Sequence, residues 1–257
     1  MPDLRSAEGI AMLKRYVNNW LSVLLVYSNL KRNVTVKFKD GDTAELSKKE
    51  YNAFYEKLYR NYLEDNGFSY PAENMIKTPN GLTLILPPNS LYSKIIDEVY
   101  LMQVYGKPDL TGKVAIDIGA AIGDTTLFFK KCGAKSVYGY ELDEARVRIA
   151  EKNIEMNGMR DSVVVYNKKA TAEEVHKLMT TINDPIFLKL DCEGCEYDII
   201  PRLDMSKVTN VVMEYHMKPE PLVEALTKAG FLDMHLERKS AITKWGKMII
   251  ASRYLGD

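Results

Sequence analysis

Cysteine, histidine and tryptophan are scarce in this chain of 257 residues, which has three, three and two of them. Cys192 and Cys195 make the one C-x-x-C, and without a second such pair or a histidine cluster a structural zinc site is excluded. Cys132 reads as a small core residue. Net charge is also missing, because 35 Lys and Arg balance 35 Asp and Glu. That removes any global attraction to nucleic acid or acidic membranes, although a local basic patch is compatible with it. The apolar stretch within Trp20 to Tyr27 is far short of the ~20 residues that a membrane span needs, and it lacks signal-peptide order, so a cytoplasmic protein is expected. There is no Walker A run, internal repeat or low-complexity segment.

What is present is ordinary for a globular protein, with 46% apolar and 27% charged residues and length enough for one large α/β domain plus a smaller element. The first third, residues 1–89, reads as an α+β accessory region. Met12, Leu13, Tyr16, Val17, Trp20, Leu21, Leu24 and Leu25 fall at helical spacing and predict one helix over 7–28. Val34 to Phe38 and Thr43 to Leu46 flank an Asp-Gly turn and predict a hairpin, with Ser47 placed to cap the helix that follows. A second hairpin is predicted around Pro79-Asn80-Gly81. The dense aromatics here suit a substrate lid, core packing or a dimer contact equally well.

From residue 90 to 257, apolar strands alternate with amphipathic helices, which implies βαβ crossovers and a parallel sheet. Val114 to Ile118 is a short β-branched run interrupted only by Asp117, as suits a strand buried on both faces. Gly119 and Gly123 permit a tight turn, Asp124 stands where a helix N-cap belongs, and a helix start favours an anionic ligand group. The dinucleotide fingerprint G-x-G-x-x-G is not met, because its three positions hold Gly119, Ala121 and Asp124. Glu141 ends the next strand, 24 residues after Asp117, where a carboxylate can take two ribose hydroxyls.

The turn of Asp117, Gly119 and Gly123 followed by Glu141 resembles the cofactor site of class I S-adenosylmethionine-dependent methyltransferases. The run Leu188-Lys189-Leu190-Asp191-Cys192-Glu193-Gly194-Cys195-Glu196 is similar to the L-K-x-D-x-E-G-x-E signature of the FkbM family. The resemblance covers about the last two-thirds of the chain. It implies an α/β, doubly wound, mostly parallel seven-stranded sheet of Rossmann-like type, closed by an antiparallel pair.

The cofactor it implies is S-adenosylmethionine, held by Asp117, Gly119, Ala120, Gly123, Glu141, Asp191 and Asn167, the last also explicable as a turn residue. Glu193 is the first candidate for the base or substrate contact, His216 the second, and Asp191 orients the substrate or the methionine amine. Glu214 and His216 match an E-x-H pair of the family. Methyl transfer needs an in-line arrangement and a proton acceptor, so positioning dominates. No metal is expected, because the acidic run offers too few oxygens for a hard cation.

The implied reaction is O-methylation of a small molecule or sugar-containing compound, with a small-molecule or glycan-like acceptor as partner and nucleic acid not favoured. An RNA methyltransferase and a fold that has lost catalysis are the alternatives. The lack of an N-P-P-Y-like run speaks against the amino-methyltransferases that use that motif. Oligomeric state is not legible.

Overall fold

In the computed structural model the described residues are 4, 7–47, 49–88, 92–238 and 247–253. They divide into one compact unit within 1–102 and a second that begins at residue 103. The expected junction at 89/90 lies outside the described residues.

The first unit holds α1 (Ala7–Tyr16), α2 (Trp20–Tyr27), β1 (Asn33–Lys37), β2 (Thr43–Ser47), α3 (Asn52–Asp65), β3 (Ser69–Ala72), β4 (Met75–Lys77), β5 (Thr83–Ile85) and α4 (Tyr92–Ile96), which runs into a π-helical turn at Asp97–Leu101. The helix expected over 7–28 is broken between α1 and α2. Val17 bridges to Phe38, and Asn19 accepts the Lys37 amide at 2.8 Å and donates to the Thr35 carbonyl at 2.9 Å. These bonds to β1 replace helical ones, which is how asparagine competes with a helix. Ser47 does not cap α3 either. Its hydroxyl accepts the amides of Lys49 and Glu50 in a local turn, and Tyr51 precedes the helix without a side-chain cap. Both expected hairpins form, and β3 joins the second to make three strands.

The second unit runs β6 (Val114–Ile118), α5 (Asp124–Lys131), β7 (Ser136–Glu141), α6 (Glu144–Met156), β8 (Val163–Asn167), α7 (Ala172–Thr180), β9 (Ile186–Leu190), α8 (Glu196–Ile199), β10 (Val208–Tyr215), α9 (Glu220–Lys228), β11 (Asp233–Arg238) and β12 (Lys247–Ser252). The sheet order is β11-β12-β10-β9-β6-β7-β8, with β12 antiparallel to both neighbours and the β10 to β8 run parallel. This is the seven-stranded, mostly parallel, Rossmann-like sheet that the resemblance implied. Every residue of β6 and β9 is buried, as expected of central strands covered on both faces.

The chain order reverses between β6 and β9, so their carboxyl ends open one crevice. No helix among the described residues is long and apolar enough to cross a membrane.

Candidate active site

The floor of the crevice is a buried ion pair. Asp117 and Lys189 face each other across the β6–β9 register, with Lys189 Nζ 2.8 Å from Asp117 Oδ1 and side-chain exposures of 1% and 0%. Lys189 also donates to the Gly119 carbonyl at 2.7 Å, and Thr125 donates to Asp117 Oδ2 at 2.6 Å. Burial works against the ammonium, but Asp117 and Asp191 outweigh it and raise the Lys189 pKa. Burial pushes the Asp117 carboxyl upward while Lys189 and Thr125 pull it back. One lysine thus ties the turn after β6 to the acid before it, so the charge breaking into this buried strand has a polar use.

The turn alternates left-handed residues at Gly119 (φ 82°), Ala121 (φ 45°) and Gly123 (φ 81°). Ala121 supplies without glycine the conformation for which the dinucleotide fingerprint wants one, at a cost of roughly 1–2 kcal/mol. Glu141 Oε2 accepts its amide at 3.0 Å, and Oε1 accepts the Asp143 amide at 2.8 Å. Gly119 and Ala120 both donate to the Tyr140 carbonyl, and Gly123 donates to Ala120. The amides of Gly119, Ala120 and Ala121 are therefore held by Tyr140 and Glu141 of β7, and that of Gly123 closes the turn on Ala120.

One expectation changes. Gly123, not Asp124, is the N-cap of α5, and Asp124 is the buried first residue of the helix. Burial raises its carboxyl to about 7, with Lys189 opposing. Asn167 donates to the carbonyls of Glu141 and Leu142 at 3.3 and 3.0 Å, so its side chain fixes the β7–α6 turn.

On the other side of the crevice, Asp191 follows β9 and accepts a hydrogen bond from the Tyr105 hydroxyl. Burial and then the Asp191 charge raise the Tyr105 phenol well above its ordinary value. Glu193 adopts φ 56° and its side chain is 92% exposed. Cys192 and Cys195, whose spacing is read from the sequence as no structural zinc site, form a disulfide that closes the loop bearing Glu193 and Gly194.

Glu196, the first residue of α8, is buried to 0% exposure. Its Oε2 accepts the Gly194 amide at 2.9 Å, while Oε1 lies 3.0 Å from His216 Nδ1 and accepts the His216 amide at 3.2 Å. His216 Nε2 is then turned toward Glu193 Oε2, 3.7 Å away. Burial alone would lower the imidazole pKa; Glu196, then Glu214 and Glu193, raise it above the ordinary value. Asp191, Glu214 and His216 each place one ligand atom within 4.8 Å of the others. The sequence reading considered metal donors inside one run, whereas the sheet adds two from β10 and its exit.

The sequence reading assigned no role to Tyr105, Thr125, Glu196 or Asn153, whose buried amide donates to the Ile122 carbonyl at 2.9 Å. Of these, only Glu196 carried a sequence signal, as the last acid of the FkbM-like signature.

The family model for ribosomal protein L11 methyltransferase (PrmA) matches residues 99–188. A ribosomal protein L11 methyltransferase of Streptococcus pyogenes serotype M28 is 28% identical over 129 residues, 49% of this chain and 39% of that protein. The chain thus spans about two-fifths of the length of the curated relatives it matches. A ribosomal protein L11 methylase structure from Lactobacillus delbrueckii subsp. bulgaricus superposes with a TM-score of 0.44 at 18% identity, covering 66% of this chain and 83% of that one. The M. capricolum TrmK structure with S-adenosyl-homocysteine gives 0.46 at 16%, covering 59% and 66%. Relatives named for a ribosomal protein correct the expectation of a small-molecule or glycan-like acceptor. The family match ends at Leu188, so the acidic residues of the FkbM-like signature lie beyond it.

Proposed function

We propose that the chain is an S-adenosylmethionine-dependent methyltransferase that transfers its methyl group to an oxygen nucleophile carried on a protein. The observation that carries this reading is the crevice between β6 and β9, with the Lys189-braced turn on one side and Glu141 at its rim. Ligands of doubly wound sheets bind at such a reversal. A carboxylate has about four acceptor sites, so Glu141 can hold two amides and still receive ribose hydroxyls. The anionic carboxylate of the cofactor meets the start of α5, and Asp191 receives its amine. Asn167 and the turn that it fixes flank the adenine.

The protein acceptor is supported by the names of the curated relatives, and the oxygen by the resemblance of the acidic run to the FkbM family. During transfer the sulfur–methyl bond breaks as the oxygen–methyl bond forms, sulfur leaves as a neutral thioether, and Glu193 takes the acceptor proton. Asp191 and His216 hold the acceptor in line, since positioning carries much of the barrier reduction.

Calorimetry with S-adenosylmethionine tests the cofactor half. Glu141→Ala is expected to weaken binding at least about tenfold, the loss of one charged hydrogen-bond set; unchanged binding, or none by the wild type, removes the reading. A labelled-methyl assay against protein and RNA fractions tests the acceptor. RNA is the second reading, favoured by Lys31, Arg32 and Lys49 around one depression of the first unit, beside another lined by Tyr27, Tyr51 and Tyr55.

A further inference from the structure

We propose that Asp191, Glu214 and His216 form a binding site for a divalent first-row metal ion, which holds the acceptor oxygen and lowers its proton affinity. This inference rests on the methyl-transfer reading for its purpose, but not for its geometry.

Adjacent parallel strands set the donors side by side. Leu190 and Met213 are register partners of β9 and β10, so Asp191 and Glu214 are the next residue on each strand. His216 lies two residues beyond Glu214, and alternation along the chain returns it to the same face. The three ligand atoms lie within 4.8 Å of one another. On an octahedral ion with bonds of about 2.1 Å, cis donors stand about 3 Å apart and trans donors about 4.2 Å apart. Closing on the ion thus asks for shifts of about 1 Å, within the range of side-chain torsions.

A second observation lies outside the three donors. Glu196, fully buried, holds His216 through Nδ1 and through the backbone amide together. That fixes the tautomer with its proton on Nδ1 and leaves Nε2 as the donor nitrogen. A carboxylate behind the distal ring nitrogen is the usual support of a metal-bound histidine. Asp191 has its own support, the Tyr105 hydroxyl on Oδ2. A surface imidazole used only for solvation gives no reason to bury a glutamate behind it.

The donor set selects the ion. Two carboxylates and one imidazole suit Mn²⁺, Fe²⁺, Co²⁺ or Zn²⁺ better than Ca²⁺, which wants six to eight oxygens, or Mg²⁺, which favours oxygen and water. Three protein ligands leave coordination positions for substrate oxygen. An oxygen bound to the ion loses its proton more readily, so the exposed Glu193 carboxylate suffices to take that proton.

Mn²⁺ titrated into chelator-treated full-length protein, followed by the electron paramagnetic resonance of the free ion, tests this directly. One ion per chain is expected, with at least about tenfold weaker binding in the near-isosteric Asp191→Asn and Glu214→Gln and in His216→Ala. Glu196→Gln, which acts through His216, is expected to weaken binding about 10–100-fold. Asp198→Asn, in an exposed ion pair with Arg202, is the folded control and should bind as the wild type does. Circular dichroism confirms that each variant is folded. No saturable binding at millimolar Mn²⁺, or equal binding by wild type and all three ligand variants, overturns the proposal. S-adenosylmethionine calorimetry in chelator keeps the two readings apart: cofactor binding without Mn²⁺ binding removes only the metal site, and the reverse removes only the methyl-transfer reading.

Discussion

Lys189 is the residue on which the crevice most depends, because its ammonium balances Asp117 and braces the Gly119 carbonyl with 1% of its side chain exposed. Removing one partner of a buried pair leaves a bare charge, so Lys189→Met is expected to cost about 3–5 kcal/mol in urea unfolding. Adding Asp117→Asn should recover most of that loss, since the double variant has no unpaired charge. Asp124 gives a pH signature. Its folded carboxyl titrates at about 7 because it is buried, against about 3.9 when unfolded, so between these values the folded state holds the extra proton. Stability from this group is complete below about pH 4 and is lost as pH rises through 7. Asp124→Asn is therefore expected to stabilise the protein at pH 8 by up to about 4 kcal/mol, the worth of three pKa units, and to change little at pH 4. Chemical denaturation at both pH values reads the difference. The sequence marked Asp117, Glu141 and Asp191 as acids at strand ends. It could not mark Asn153 or Tyr105, whose partners lie 31 and 86 residues away.

At the scale of elements, the exit from β9 gathers three acids and the two bridged cysteines into six residues, from Asp191 to Glu196. The Cys192–Cys195 disulfide and the Glu196 bonds to Gly194 and His216 both shape this loop. Closing a loop of about four residues is worth about 2 kcal/mol by the chain-entropy relation. The double variant Cys192→Ser, Cys195→Ser is expected to unfold with that deficit and to be insensitive to a dithiol reductant, whereas the wild type should lose the same amount on reduction. The positions of β6, β8 and β10 were legible in advance because each is a short run rich in β-branched residues. The break between α1 and α2 was not, since the apolar spacing continues through Val17 and only the partner strand draws Asn19 away from helix.

For the whole molecule, the β11-β12-β10-β9-β6-β7-β8 order brings residues from four separate chain segments to one edge of the sheet. Ligand binding should therefore be felt there and not everywhere. Saturating S-adenosylmethionine at about 100 times its dissociation constant is expected to add about 2.7 kcal/mol to the unit that binds it. Hydrogen exchange should show the added protection in the β6–α5 turn and the β7 exit, and none in the β1–β2 hairpin of the first unit. The alternation of apolar runs with amphipathic segments, a local property, determined the α/β class, the strands and the acids at their ends. Only the tertiary structure decided that Lys189 pairs with Asp117, that Glu196 serves His216, and that Asp191, Glu214 and His216 converge. Those contacts depend on which strands lie side by side and on which groups lose water together, and neither is encoded within the reach of a single element.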